Sequence, residues 1–184
     1  HRSAYTDYIG VKIFDKDGNI SKERRFIGLY TSTAYNANPK AIPFIRQKVA
    51  AVFQRSGLPA RSHAGKDLMH VLSTFPRDDL FQASVDDLYS ICMGILHLQD
   101  RRKVRLFVRE DSYGRYLSAF VYLPKENFNA DVLHSMMSFL KQEFNSNEVH
   151  FDTYFSPSLL ARIHFVIRIN LNKNIHYDVC SLEN

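Results

Sequence analysis

The sequence predicts an α+β chain in which an N-terminal β-hairpin and a helical segment precede an antiparallel four-stranded sheet with helices on one face. Apolar residues alternate with polar ones in residues 8–31 and again in residues 103–169, a pattern typical of strands. Between residues 42 and 96 they recur at helical spacing instead. Because each predicted strand of the second stretch has one apolar face, the sheet is expected to be antiparallel.

The first strand covers residues 8–14, and the second covers residues 24–31. Asp17-Gly18 between them supplies the backbone conformation of a tight turn. A hairpin alone is only marginally stable, so we expect it to pair with strands that precede it in a longer protein. The first residue is His1 rather than Met, which fits the same expectation of an excised segment.

Three helices are predicted next. The first covers residues 42–53, with Pro43 in its first turn and Gly57 after its end. The second carries the apolar residues of positions 68–75 and ends at Pro76. The third begins at Ser84, where Ser84 and Asp87 have the spacing of a capping box.

The remaining pattern predicts strands at residues 103–110, 115–123, 148–155 and 162–169. A helix capped by Asn129 and reaching Phe144 separates the second of these strands from the third. With the preceding helix the order is αββαββ, a cyclic shift of the ferredoxin-like order βαββαβ.

Composition indicates a cytoplasmic protein. The net charge of +5 is spread over the chain, which is typical of a solvated surface more than of a nucleic-acid site. Two cysteines, Cys92 and Cys180, suggest neither a disulfide framework nor a metal pair. No apolar run approaches transmembrane length, so no membrane partner is expected.

No catalytic, cofactor-binding or metal-binding residue is expected from the motifs. Gly65-Lys66 resembles part of a phosphate loop but lacks the earlier glycine and the following hydroxyl residue. The sequence has no GxGxxG motif and no closely spaced histidine pair. The carboxylate pairs of residues 78–79 and 86–87 lie at helix starts, where the helix dipole favours negative charge.

One sheet face stands out because it is basic. Arg105, Phe107 and Arg109 are predicted to leave one strand on the side opposite its apolar residues, and Arg162, His164 and Arg168 do so on another. Such a face could bind RNA by stacking and charge. We favour packing against another domain or subunit, with arginines bridging carboxylates. For His164 the sequence favours a solvent-facing position over a metal site.

Several blocks, taken together and in order, resemble the large bacterial NAD-dependent glutamate dehydrogenases upstream of their catalytic domain. The resemblance covers about residues 1–170. Its blocks are Tyr8-Ile9-Gly10-Val11-Lys12, Arg25 to Ser32, Ile42-Pro43, Arg46 to Val49, Ser62 to Lys66, Phe75 to Phe81, Arg105 to Arg109, Val121 to Pro124 and Leu159 to Phe165.

The resemblance implies the end of a PAS-type domain at residues 1–35, a helical connecting segment at 36–98, an ACT-type domain at 99–172 and a tail at 173–184 that leads to the next domain. It implies a non-catalytic regulatory or oligomer-forming segment of an enzyme that oxidises glutamate to 2-oxoglutarate with NAD. The cofactor would belong to the parent enzyme, and the partners would be its other domains and further copies of itself. ACT-type domains often bind amino acids, which makes Asp111, Ser112 and Gly114 candidates for an effector loop, although an ordinary hairpin turn is the favoured interpretation.

Overall fold

The computed structural model describes residues 6–98, 101, 103–156, 158–169 and 179–182. Its strands are β1 (Asp7–Phe14), β2 (Ile20–Gly28), β3 (Arg105–Glu110), β4 (Tyr116–Pro124), β5 (Val149–Phe155) and β6 (Leu160–Arg168). Its α-helices are α1 (Ser32–Asn36), α2 (Ile45–Ser56), α3 (His63–Thr74), α4 (Arg77–Gln82), α5 (Val85–Leu98), α6 (Ala130–Glu143) and α7 (Val179–Leu182). The predicted α+β class and the order of hairpin, helical segment and four-stranded sheet are confirmed.

Strands β1 and β2 form an antiparallel hairpin with no third strand among the described residues. The Asp15 carboxylate closes the turn by accepting hydrogen bonds from the backbone N–H groups of Asp17 and Asn19, and Gly18 supplies the positive φ of 82°. Apolar side chains of both strands are exposed, with Ile27 at 73% and Phe26 at 53%. The hairpin therefore buries almost no apolar surface of its own.

The helical segment, α2 to α5, has its own apolar core, formed by buried residues such as Ile45, Leu68 and Leu88. Helix α2 begins at Ile45, so Pro43 precedes the helix instead of lying in its predicted first turn. The capping box is present, because the Ser84 hydroxyl accepts from the Asp87 N–H and the Asp87 carboxylate accepts from the Ser84 N–H.

Helix α4 was predicted only as a helix start at residues 78–79, without an apolar pattern or an end. Pro76 ends the preceding helix as expected, but the chain turns back into a helix at the very next residue, Arg77. A helix of six residues is too short to show a periodic apolar pattern, which explains why its bounds were not predicted.

The four-stranded sheet has the order β3-β4-β6-β5, with every neighbouring pair antiparallel. One face presents Ala119, Phe165 and Ile167 to helix α6, whose Leu140 is buried in the same cluster. This is the helix-covered face that the sequence predicted.

Helices cover the opposite face as well. Phe120 is fully buried there among the residues of the helical segment, and its ring centroid lies 5.0 Å from that of Phe75. The prediction of helices on one face is therefore incomplete. The second face is partly apolar as well, because it carries Phe107, Phe120 and Tyr122. The alternation of apolar residues along the strands therefore does not show that only one face is covered.

No helix in the described part of the chain is both long enough and apolar enough to cross a membrane.

Gly65 and Lys66, the faint phosphate-loop signal, lie inside helix α3. The Ser62 hydroxyl caps this helix by accepting a hydrogen bond from the Gly65 N–H at 3.0 Å. A Cβ atom at Gly65 would lie 2.1 Å from the carbonyl oxygen of Pro59. The glycine thus allows close approach of the helix to the preceding loop, which accounts for it without a ligand.

Gly65→Ala is expected to destabilise the chain by about 1–3 kcal/mol, because backbone atoms must move to admit the methyl group. Without the clash, alanine would favour the helix by about 1 kcal/mol. Urea unfolding measures the difference. Gly28→Ala is the control, since a Cβ there would meet no atom within 4 Å. Equal midpoints for Gly65→Ala and the unsubstituted chain would contradict the packing argument.

Candidate functional site

A buried ionic cluster joins the sheet to the helical segment, and Asp79 is at its centre. The Asp79 Oδ1 atom accepts hydrogen bonds from Arg109 Nε at 3.0 Å and from Arg109 Nη2 at 2.5 Å. Its Oδ2 atom lies 3.1 Å from His164 Nε2. The Asp79 and Arg109 side chains are 4% and 2% exposed, so the pair is shielded from water.

Three separate elements bring this cluster together. Asp79 lies in the first turn of helix α4, Arg109 on edge strand β3 and His164 on strand β6. Between them, strand β4 contributes Ser118, whose hydroxyl lies 2.6 Å from His164 Nε2, and Phe120, whose ring stacks on the imidazole at 4.7 Å between centroids. The imidazole is therefore held in one orientation.

Both members of the Asp79–Arg109 pair are charged. Burial alone would raise the pKa of Asp79, but the hydrogen bonds and charges of His164 and Arg109 outweigh burial and lower the pKa to about 2. Burial would likewise lower the pKa of Arg109, but the neighbouring carboxylate raises it. The cluster is a true buried ion pair, which is costly to break by removing one partner.

Ser118, His164 and Asp79 do not have the geometry of a catalytic triad. A triad needs the carboxylate on one imidazole nitrogen and the serine on the other, whereas here both lie on Nε2. Ser118 is also fully buried, which keeps a substrate away from its hydroxyl.

Further polar contacts join the ends of the helices to the rest of the chain. Arg162 Nη1 on strand β6 donates to the Thr74 carbonyl at the end of α3, at 2.6 Å. Lys48 Nζ on α2 donates to the carbonyls of Phe81 and Ala83 at the end of α4, both at 2.7 Å. These cations satisfy carbonyl groups that helix ends leave without intrahelical partners.

The structure divides the predicted basic face. Phe107, Arg109, Arg162 and His164 lie under the helical segment of the same chain, whereas Arg105 and Arg168 are exposed, with Arg168 Nη1 2.8 Å from Glu148 Oε2.

The expectation that His164 faces solvent is wrong, and the structure also counts against the RNA alternative. His164 is only 8% exposed and so does not face solvent, and RNA has no access to a face on which Arg109 is 3% exposed. The reason is that the helical segment folds back on the sheet. An arginine does bridge a carboxylate on this face, but the carboxylate of Asp79 belongs to the same chain.

The candidate effector loop is a compact turn. Gly114 has a φ of 64°, and its N–H donates to the Asp111 carbonyl at 2.8 Å. The Asp111 carboxylate accepts from Arg115 Nε at 2.8 Å and from the backbone of Tyr113 and Arg115. Burial would raise the pKa of Asp111, but these bonds lower it. Ser112 is exposed, so the loop offers an effector few unused groups beyond that hydroxyl.

Sequence reasoning missed Asp79 as a member of the site. It placed residues 78–79 at a helix start, which is correct, but explained them by the helix dipole alone. The available signal was the position of Arg109, a cation within a strand that has apolar residues on both faces. A cation in such a strand calls for an acidic partner. Among the described residues, no group of three histidine, cysteine or acidic side chains could hold a metal ion.

Comparison with known proteins identifies two matching family models. Residues 42–101 match helical motif 1 of glutamate dehydrogenase, and residues 105–184 match the ACT2 domain of glutamate dehydrogenase. These two stretches meet at the ionic cluster, because Asp79 belongs to the first and Arg109 and His164 belong to the second.

Curated relatives agree with these models. The whole chain is 40% identical to a part of the NAD-specific glutamate dehydrogenases of Halomonas elongata and of Pseudomonas aeruginosa, and covers 11% of each. Over 90% of its length it is 31% identical to the NAD-specific glutamate dehydrogenase of Mycobacterium tuberculosis, of which it covers 10%. The chain thus spans about a tenth of the length of these relatives.

Asp79→Ala is expected to destabilise the chain by about 3–5 kcal/mol, because it leaves the Arg109 guanidinium buried without a counter-charge. Urea unfolding measures the loss. Asp86→Ala is the matched control, since Asp86 pairs with Arg55 at the surface and its removal should cost about 1 kcal/mol or less. Similar losses in the two variants would show that burial of the Asp79 pair does not matter.

Acid should weaken the chain through the same carboxylate. The pKa of Asp79 is lowered from 3.8 to about 2 in the folded chain, so its contribution is fully present above pH 3.8 and is lost as the pH falls to about 2. The contribution is about 2 kcal/mol. Unfolding free energies measured across this range should fall less steeply in Asp79→Asn than in the unsubstituted chain, and parallel curves would contradict the assignment.

Proposed function

The chain belongs to the NAD-specific glutamate dehydrogenase family, and from this premise we propose that it is a non-catalytic regulatory and oligomer-forming segment of such an enzyme. The observation that carries the proposal is the ACT-type sheet locked onto the family's helical motif by the Asp79 cluster. That arrangement packs the two stretches against each other, which suits a part that transmits movement between domains.

The parent enzyme would convert L-glutamate, NAD and water to 2-oxoglutarate, ammonium and NADH in the cytoplasm. NAD and glutamate would be bound by other domains of that enzyme, because the polar groups of the Asp79 cluster and of the Asp111 turn are engaged by other residues of this chain. The buried thiol Cys92, whose pKa burial raises to about 12, is in keeping with a reducing compartment.

The hairpin β1–β2 supports contact with the rest of the parent chain. Its exposed apolar side chains, among them Ile9, Val11, Phe26 and Ile27, are more than a two-stranded hairpin normally leaves in water. We propose that they complete the sheet of a PAS-type domain, and that residues 36–98 and 99–172 act as the connecting segment and the ACT-type domain, with 173–184 leading onward.

The first test compares activity and assembly in the parent enzyme. Asp79→Ala there is expected to alter subunit association or the dependence of rate on glutamate, while kcat stays within about threefold because no reacting group is removed. The 184-residue chain alone should form no NADH from glutamate. Asp86→Ala is again the control. Loss of kcat with assembly and glutamate dependence unchanged would instead assign a catalytic role to this segment.

A second measurement addresses the hairpin. Amide hydrogens of residues 7–28 are expected to exchange more slowly in the parent enzyme than in the 184-residue chain, because further strands and side chains would cover them. Residues of strand β4, which is interior in the chain already, serve as the internal control. Equal exchange rates of the hairpin in both samples would contradict its place in a larger sheet.

A further inference from the structure

A cavity of about 510 Å³ lies beside the ionic cluster, between helix α3 and the connection from β5 to β6. Its polar lining includes Asp67, His70, Ser156 and Arg162, and its apolar lining includes Val71, Ile95, Leu159 and Leu160. The volume is in the range of small-molecule sites, roughly 300–1,000 Å³. Neither the Asp111 turn nor the residues around Asp79 contribute to this cavity.

Arg162 is the unusual member of the lining. Arg162 is 7% exposed, and its Nη1 atom donates a hydrogen bond to the Thr74 carbonyl. Its Nε atom is buried and has no hydrogen-bond partner among the described residues. The guanidinium also lies over the ring of Tyr154, at 4.8 Å from the centroid, which fixes its position.

No negative charge in the described part of the chain balances Arg162. Asp67 lines the same cavity but forms no ion pair with it. Tyr122, which lies beside the guanidinium, stays neutral because burial raises its pKa to about 12 despite the offsetting cation. Arg109, which is also buried on the same sheet face, has the Asp79 carboxylate. A buried cation without a counter-ion is unfavourable, and Arg162, unlike Arg109, has no counter-ion among the described residues.

We propose that this cavity binds a small carboxylate, whose charged group pairs with Arg162 and whose apolar body lies against Ile95 and Leu160. A guanidinium suits a carboxylate because its donors match the two oxygens. The ligand could be a free amino acid or a simple organic acid, because both present a carboxylate to Arg162. The proposal depends on the cavity and on Arg162, so it stands or falls independently of the regulatory role.

The site also has a route to the rest of the fold. Arg162 holds the end of helix α3 through Thr74, and the chain continues from there through Pro76 directly into α4, which carries Asp79. A bound carboxylate that pairs with the guanidinium would therefore change the hydrogen bond to Thr74 and, through it, the contact between the sheet and the helical segment.

The test measures binding to the 184-residue chain by ligand-observed NMR with four probes, at concentrations up to about 10 mM. These are 4-methylpentanoate, L-leucine, 3-methylbutylamine and inorganic phosphate. At least one of the two carboxylates should bind, and the stronger of them identifies the source of the group. The amine, which has no carboxylate, should not bind, and phosphate, which has no apolar body, should bind at least about tenfold more weakly.

Variants then connect binding to the cavity. Arg162→Gln should weaken carboxylate binding at least about tenfold, whereas Arg105→Gln, the same change at an exposed position of the same sheet face, should leave it unchanged. His70→Trp, at an exposed position of α3 that lines the cavity, narrows the site without touching Arg162 and should weaken binding even if Arg162→Gln unfolds.

The proposal is overturned if neither carboxylate binds, if the amine or phosphate binds as tightly as the carboxylates, or if binding persists in both Arg162→Gln and His70→Trp.

Discussion

The Asp79 carboxylate contacts two side chains of the sheet, Arg109 and His164, and the position of the helical segment depends on those contacts. Apolar packing of Phe75 on Phe120 is compatible with some sliding of helices over the sheet. The hydrogen bonds of Arg109 to Asp79 are directional, His164 lies 3.1 Å from the same carboxylate, and breaking a buried ion pair by removing one partner is costly. The apolar contacts therefore supply much of the stability, whereas the ionic cluster selects one arrangement.

The same principle explains the cations at the helix ends. Lys48 and Arg162 donate to terminal carbonyls of α4 and α3, which lie under other elements where water cannot reach all of them. Each cation thus donates hydrogen bonds to oxygen acceptors of another element, as Arg109 does to Asp79. Short helices have many ends for their length, and here the ends of α3 and α4 are contacted by cations of other elements.

Much of the fold was predictable because it rests on local pattern. The strands of the sheet, the capping box at Ser84 and the Asn129 cap of α6, where the side chain accepts from the Val132 N–H, follow from alternation and capping rules. The division of the basic face into a covered part and an exposed part was not predictable. Alternation shows which residues share one side of a sheet, but it does not show which element covers that side. The partner of Arg109 lies 30 residues away in a helix too short to have a pattern. The cavity at Arg162 arises from elements whose positions only tertiary packing fixes.

The contact between Arg162 and Thr74 joins residues 88 positions apart in the chain. During synthesis, helix α3 leaves the ribosome well before strand β6 exists, so its last carbonyl is solvated at first. The helical segment and the sheet cannot mature one after the other, since β6 supplies both Arg162 and His164. The contacts between the helical segment and the sheet therefore form only after β6 is synthesised. A nascent chain that ends before β6 would have the helices without the sheet on which they pack.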